Sequence, residues 1–188
     1  MQRTKQTEKF VRLHTMQEPQ DQIINKVANS SLITFDLEDY FVPGERVLID
    51  IKDQLFEGLI LKEKDFRDFI KANRWDEFQD KFVAIHCSVD AIIPTWAYML
   101  VAIALEPFAR KVVFGTLEEL EVAIFQDGLK NVNWAKFKDS KVVIKGCSKV
   151  NVPVAMYVDV ANKLRPYVSS IMYGEPCSTV PLFKRAKG

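Results

Sequence analysis

Four short apolar runs recur at thirty-residue spacing along the second half of the chain. KFVAIHC starts at Lys81, KVVFGT at Lys111 and KVVIKGC at Lys141, and the same offset leads to IMYGEPC at Ile171. Each run is rich in β-branched or aromatic residues and is bounded by polar or turn-forming ones, the pattern of a strand buried on both faces. Helical segments are predicted between them. Pro94 to about Ala109 is apolar nearly all round. Thr116 to Gln126 opens on Thr116 and Glu119 in capping-box spacing, with Gly128 following its end. Pro153 to about Leu164 begins on one proline and stops before another. The order β-α-β-α-β-α-β predicts an α/β fold with a mainly parallel sheet of βα units. Thirty residues is an ordinary length for a strand plus a crossover helix, so the beat reads as architecture rather than duplication.

Upstream, Leu32 to Leu37 and Arg46 to Ile51 read as strands joined by the turn VPGE, and Glu63 to Asn73 as an amphipathic helix. They are expected to form an N-terminal antiparallel or mixed extension of the main sheet. Residues 1–21 are polar and without an amphipathic pattern, which predicts a flexible tail and leaves 22–188 as a single α/β domain.

Charge narrows the functional classes. Lys plus Arg is 26 and Asp plus Glu is 25, a balance that argues against a nucleic-acid or acidic-membrane binder acting by bulk electrostatics. Trp75, Trp96 and Trp134 lack an accompanying basic stripe and read as core or interface residues. The longest apolar stretch, Ala97 to Leu105, is far shorter than the roughly 20 residues that span a bilayer. The expected location is cytoplasmic. Phosphate-binding glycine motifs are missing from the sequence. The carboxylates Asp36, Glu38, Asp39, Asp50 and Asp53 have magnesium-binding chemistry, but their spacing reads more simply as a solvated face.

The chemistry-bearing feature is that each of the three cysteines precedes a serine: Cys87-Ser88, Cys147-Ser148 and Cys177-Ser178. In open parallel sheets ligands bind beyond the carboxyl ends of the strands, and these cysteines fall there. A strand order 2-1-3-4 would make the three cysteine-bearing strands neighbours, about 4.8 Å apart, close enough for their thiolates to share a metal. Zinc or an iron–sulfur cluster on Cys87, Cys147 and Cys177 is the sharp expectation, with Asp90, Glu175 or His86 as a fourth ligand or an open position for substrate, and with Ser88, Ser148, Ser178 and, where it is not a ligand, His86 around them. Three other readings stand beside it: a single reactive thiolate at Cys87 or Cys147, an anion site of serines and backbone amides, and plain packing of buried thiols. His14 lies in the predicted tail. His86 and Cys87, adjacent on one strand, point to opposite faces, which disfavours a base and nucleophile pair.

The strings LFEGLILKEKDFR (55–67), CSVDAIIPTWAYML (87–100), VVIKGCSK (142–149) and IMYGEPCSTVPLFKR (171–185) resemble a family of small bacterial proteins, typical of Bacteroidetes, known as domain of unknown function 2480. The resemblance covers about residues 22–185. It implies a bacterial setting and brings no activity, cofactor or catalytic residue. Two functional readings therefore follow from the residues alone: a metal-binding or thiol-dependent protein with its site at the strand ends, or a non-catalytic interaction module that forms a homodimer through the apolar helix at 94–108.

Overall fold

FVAIH, with four consecutive buried residues, needs cover on both faces and both edges, and the computed structural model supplies them. It describes residues 32–146, 149–175 and 177–186; the predicted tail, His14, Cys147 and Ser148 lie outside these. Strand β3 (Phe82–His86) sits between β2 (Arg46–Asp50) and β4 (Lys111–Phe114) in a parallel sheet of order β2-β3-β4. A second sheet has the order β1-β5-β6-β7, made of β1 (Leu32–Phe35), β5 (Lys141–Ile144), β6 (Ser170–Glu175) and β7 (Ser178–Lys184). Its first three strands are parallel and β7 returns antiparallel along β6.

The α/β class and the mainly parallel pairing hold, but the expected order 2-1-3-4 does not. The four apolar runs divide into two pairs, β3 with β4 and β5 with β6, in separate sheets. The N-terminal strands are likewise no antiparallel extension of one main sheet, since β1 pairs parallel with β5 in one sheet and β2 parallel with β3 in the other. Among the described residues the antiparallel pairing between strands, β6 with β7, is at the other end of the chain.

Helices α1 (Glu63–Ala72) and α2 (Thr95–Leu105) cover one face of the three-stranded sheet, where Phe66, Ala97, Val101 and Leu105 pack with Val83 and Ile85. Helix α3 (Leu117–Leu129) covers the other, placing Leu120 and Ile124 against Phe82 and Ala84. Its remaining apolar side chains, Phe125 and Leu129, turn to the second sheet and join Val142, Ile144 and the Met156, Val160 and Leu164 side chains of α4 (Val154–Leu164). One helix therefore serves two cores. Its start is the expected capping box, with Thr116 and Glu119 each bonded to the other's backbone amide. Gly128 falls inside its last turn rather than beyond it, and a Cβ there would stand 3.2 Å from the Tyr40 carbonyl oxygen.

The two sheets are copies of one unit. A shift of 59 residues, as from Trp75 to Trp134, also superposes Phe66 on Phe125, Asp80 on Asp139, Pro94 on Pro153, Tyr98 on Tyr157, Leu105 on Leu164 and Gly115 on Gly174. Pairing registers follow the same shift: Phe82↔Lys111 in one sheet corresponds to Lys141↔Ser170 in the other. So do details of the backbone. Asp80 and Asp139 both adopt positive φ, 60° and 57°. Their amides donate to the equivalent carbonyls of Phe108 and Tyr167, each at 2.9 Å. The first strands match too, since Asp50 at the end of β2 and Asp36 just after β1 each cap a short 3-10 turn. The thirty-residue beat is thus half of a longer repeat, with the 46–116 copy nested between the first strand and the α3 helix of the other. One difference matters below: β6 is capped by β7, whereas among the described residues its counterpart β4 is a sheet edge.

Candidate functional site at the strand ends

Asp50 is the best-connected group at the carboxyl end of the three-stranded sheet. As the residue that ends β2 and caps the next turn, it accepts hydrogen bonds from the Lys52 amide and the Ser88 amide at Oδ1, both at 3.1 Å, with Lys52 Nζ 3.3 Å from Oδ2. Desolvation by burial pulls its pKa upward, but the bonds from the Ser88 side chain, the Lys52 and Ser88 amides and the Lys52 side chain outweigh it and hold the carboxyl well below the usual carboxylate range. His86 Nε2 stands 3.8 Å from Asp50 Oδ2, beyond hydrogen-bond reach.

Cys87 turns the other way. It packs with Ile85 into the core beneath α1 and α2, and its Sγ donates weakly to the Val89 carbonyl at 3.5 Å. Phe82 and Ala84 face α3, so strand alternation puts His86 on that side and Cys87 on the opposite one. Above Cys87, Tyr98 of α2 meets Phe114 edge-on at 4.8 Å. Burial, and then the charges of Cys87 and Asp50, push the Tyr98 hydroxyl pKa up. Asp90 and Ser88 are exposed.

The second sheet repeats the scaffold with different chemistry. Asp36 accepts from the Glu38 amide at 2.9 Å. Lys145, which replaces His86, places Nζ 2.6 Å from Asp36 Oδ2 and 3.8 Å from Glu38 Oε2. The hydrogen bond to Asp36 raises the Lys145 pKa against desolvation, with the charges of Asp36, Glu38 and Glu175 adding to it. The Lys149 amide donates to Glu38, and Tyr173 donates to the Gly146 carbonyl at 3.2 Å. Glu175 ends β6 opposite Ser178 of β7, and Cys177 between them is exposed.

These positions separate the residues expected to converge. Cys87, Asp90, His86 and Ser88 belong to the β3 end, while Glu175, Cys177 and Ser178 belong to the β6–β7 end of the other sheet. The neighbouring-strand argument for three shared thiolates is lost with the strand order; Cys147 itself lies outside the described residues. Among the described residues no three His, Cys, Asp or Glu side chains are grouped to hold a metal ion. The acidic residues are not simply a solvated face either. Asp36 and Asp50 are caps, and the D-x-x-D spacing that follows both β1 and β2 was the legible sign of that role.

Because its folded pKa is depressed, Asp50 contributes stability that is present above the unfolded carboxyl pKa of about 4 and is lost as pH falls below it. Asp50→Asn is expected to lower the urea midpoint at pH 7 and to flatten the loss of stability below about pH 4. Parallel pH curves for the two proteins would show that these bonds do not favour the ionised carboxylate.

Among the described residues no helix is long and apolar enough to cross a membrane. A family model described as protein of unknown function, DUF2480, matches residues 21–185. No curated protein and no solved structure matches the chain.

Proposed function

We propose, from the premise that the chain belongs to the DUF2480 family of proteins of unknown function, that it is a non-catalytic interaction module which self-associates through α2. The observation that carries this is an uncharged apolar surface on α2 and β4. Met99 and Ile103 are 58% and 67% exposed and Phe114 is 67% exposed. With Thr95, Tyr98 and Ala102, Met99 and Phe114 line a groove of about 460 Å³.

The other copy shares only part of this surface: Val158, the counterpart of Met99, is 57% exposed, but polar and charged residues replace its neighbours. Helix α4 occupies the place of α2 in the other copy, yet has Asp159, Asn162 and Lys163 where α2 has Leu100, Ile103 and Ala104. Asp159 and Lys163 form an ion pair at 2.7 Å. Contiguous exposed apolar side chains mark interaction surfaces, and an uncharged patch can meet its own copy without like-charge repulsion. Zinc or an iron–sulfur centre held jointly by Cys87, Cys147 and Cys177 lacks comparable support, because β3 and β5 lie in different sheets.

Light-scattering mass across a concentration series tests the reading. The mass is expected to rise to two chains, and Ile103→Lys to return it to one. A mass of one chain for the unaltered protein throughout the range would overturn it.

A further inference from the structure

The apolar patch ends at a backbone edge. In the second sheet the outer side of β6 is occupied by β7; in the first, the equivalent side of β4 has no strand beside it among the described residues. Sheets ordinarily blunt such edges with proline, charge or a bulge. β7 has these devices, since Pro181 sits inside it and its ladder with β6 is irregular between Ile171 and Met172. β4, with the sequence KVVF, has none at its centre, and its one charge, Lys111, is held at 2.5 Å by Asp127.

We infer that β4 pairs antiparallel with β4 of a second copy of this chain, joining two three-stranded sheets into one continuous sheet across a two-fold axis. The inference rests on the self-association proposed above and states its geometry. In a parallel ladder alternate residues turn their amide and carbonyl toward the same neighbour. The Gly115 amide donates to Ile85, so Val113 and Gly115 face β3, while Val112 and Phe114 present theirs outward. A two-fold axis at Val113 then places Val112 opposite Phe114 of the second copy, and both residues have outward backbone groups to exchange. Their side chains share the α2 side of the sheet. The axis also leaves both α2 helices on one face of the joined sheet, so that one operation covers Met99, Ile103 and Phe114 together. Pairing β4 with itself closes the assembly, whereas pairing it with a different edge would continue into a filament.

The test compares Val112→Pro with Ile103→Lys in the full chain. Proline at 112 removes an outward amide and leaves the ladder with β3 intact, as edge positions allow. It is expected to raise the dimer dissociation constant about tenfold or more, with an unchanged far-UV spectrum. Amide exchange of the unaltered protein gives a second readout that needs no variant: Val112 and Phe114 are expected to slow about tenfold on passing from monomer to dimer concentrations. If Ile103→Lys is monomeric while Val112→Pro dimerises normally and the two amides stay fast, the α2 contact stands and the strand pairing is overturned. If the unaltered protein never dimerises, both fail.

Discussion

Phe125→Ala is expected to destabilise the protein by about 3–5 kcal/mol, the usual cost of emptying a phenylalanine site that cannot collapse. The side chain is fully buried in α3. It also lies 6.4 Å from the Phe41 ring in a tilted contact. Domain stabilities are about 5–15 kcal/mol, so this one change removes a large fraction. Its reach is equally informative. Leu120 and Ile124, on the same helix, hold the three-stranded sheet, and a helix loosened on one side cannot keep its grip on the other. Amide exchange at Val83 and Val142, one in each sheet, should therefore accelerate together. Acceleration at Val142 alone would show that the two copies open independently and that α3 does not couple them. Phe66→Ala, at the equivalent place in α1, removes the same ring but is expected to loosen the first sheet more than the second, because α1 packs into one core only.

Arg46→Ala is the second large effect, expected at about 3 kcal/mol, the lower end of the range for breaking one partner of a mostly buried ion pair. The guanidinium grips Glu121 through Nε at 2.9 Å and Nη2 at 3.0 Å. It also donates to the carbonyls of Gly44 at 2.6 Å and Val42 at 2.7 Å. The rings of Phe41 and Phe82 each lie 4.9 Å from it. With side-chain exposures of 16% and 13%, neither Arg46 nor Glu121 regains full hydration once its partner is gone. Arg46→Lys keeps the charge but not the planar fork, so it should recover less than half of the loss in urea midpoint. Pairing Arg46→Ala with Glu121→Leu should recover more, since no uncompensated carboxylate is left behind. A double variant as unstable as the sum of the singles would assign the effect to packing against the rings instead.

Most of the secondary structure was legible. Helix α3 announced its start through Thr116 and Glu119, a local bond pattern that needs no distant residue. The strand cores of β3 and β5 were apolar on consecutive positions, as burial on both faces demands. Other elements were missed for identifiable reasons. β7 alternates weakly and contains Pro181, a residue that demotes a strand assignment everywhere except at an edge. Gly128 resembled a helix stop because its real constraint, the Tyr40 carbonyl, comes from 88 residues upstream in the chain (128 minus 40). The repeat escaped notice because strand-plus-helix length set a shorter beat inside it, and because the matching residues, such as Trp75 with Trp134 and Asp80 with Asp139, lie outside the apolar runs that defined that beat.

The candidate site was harder to read. Cys87 and Cys177 follow the strands β3 and β6 as expected, since that depends only on where each run stops. Their grouping depended on which strands are neighbours. Pairing β3 with β4 and β5 with β6 in separate sheets changes no local propensity, so no pattern within a run distinguishes it from a single sheet.

What the sequence by itself determined was therefore local: most of the strands, helices α1 to α4, their order, the capping box of α3, and an α2 apolar on every side. The tertiary structure alone decided that the chain closes two sheets around one shared helix, that Arg46 finds Glu121 75 positions along the sequence, and that among the described residues β4 has a bare edge beside an exposed apolar helix. The reason is physical. Periodicity and capping act over a few residues and are written into them, whereas sheet membership is chosen by long-range burial, in which α3 has apolar side chains for two sheets and the chain buries more by using both.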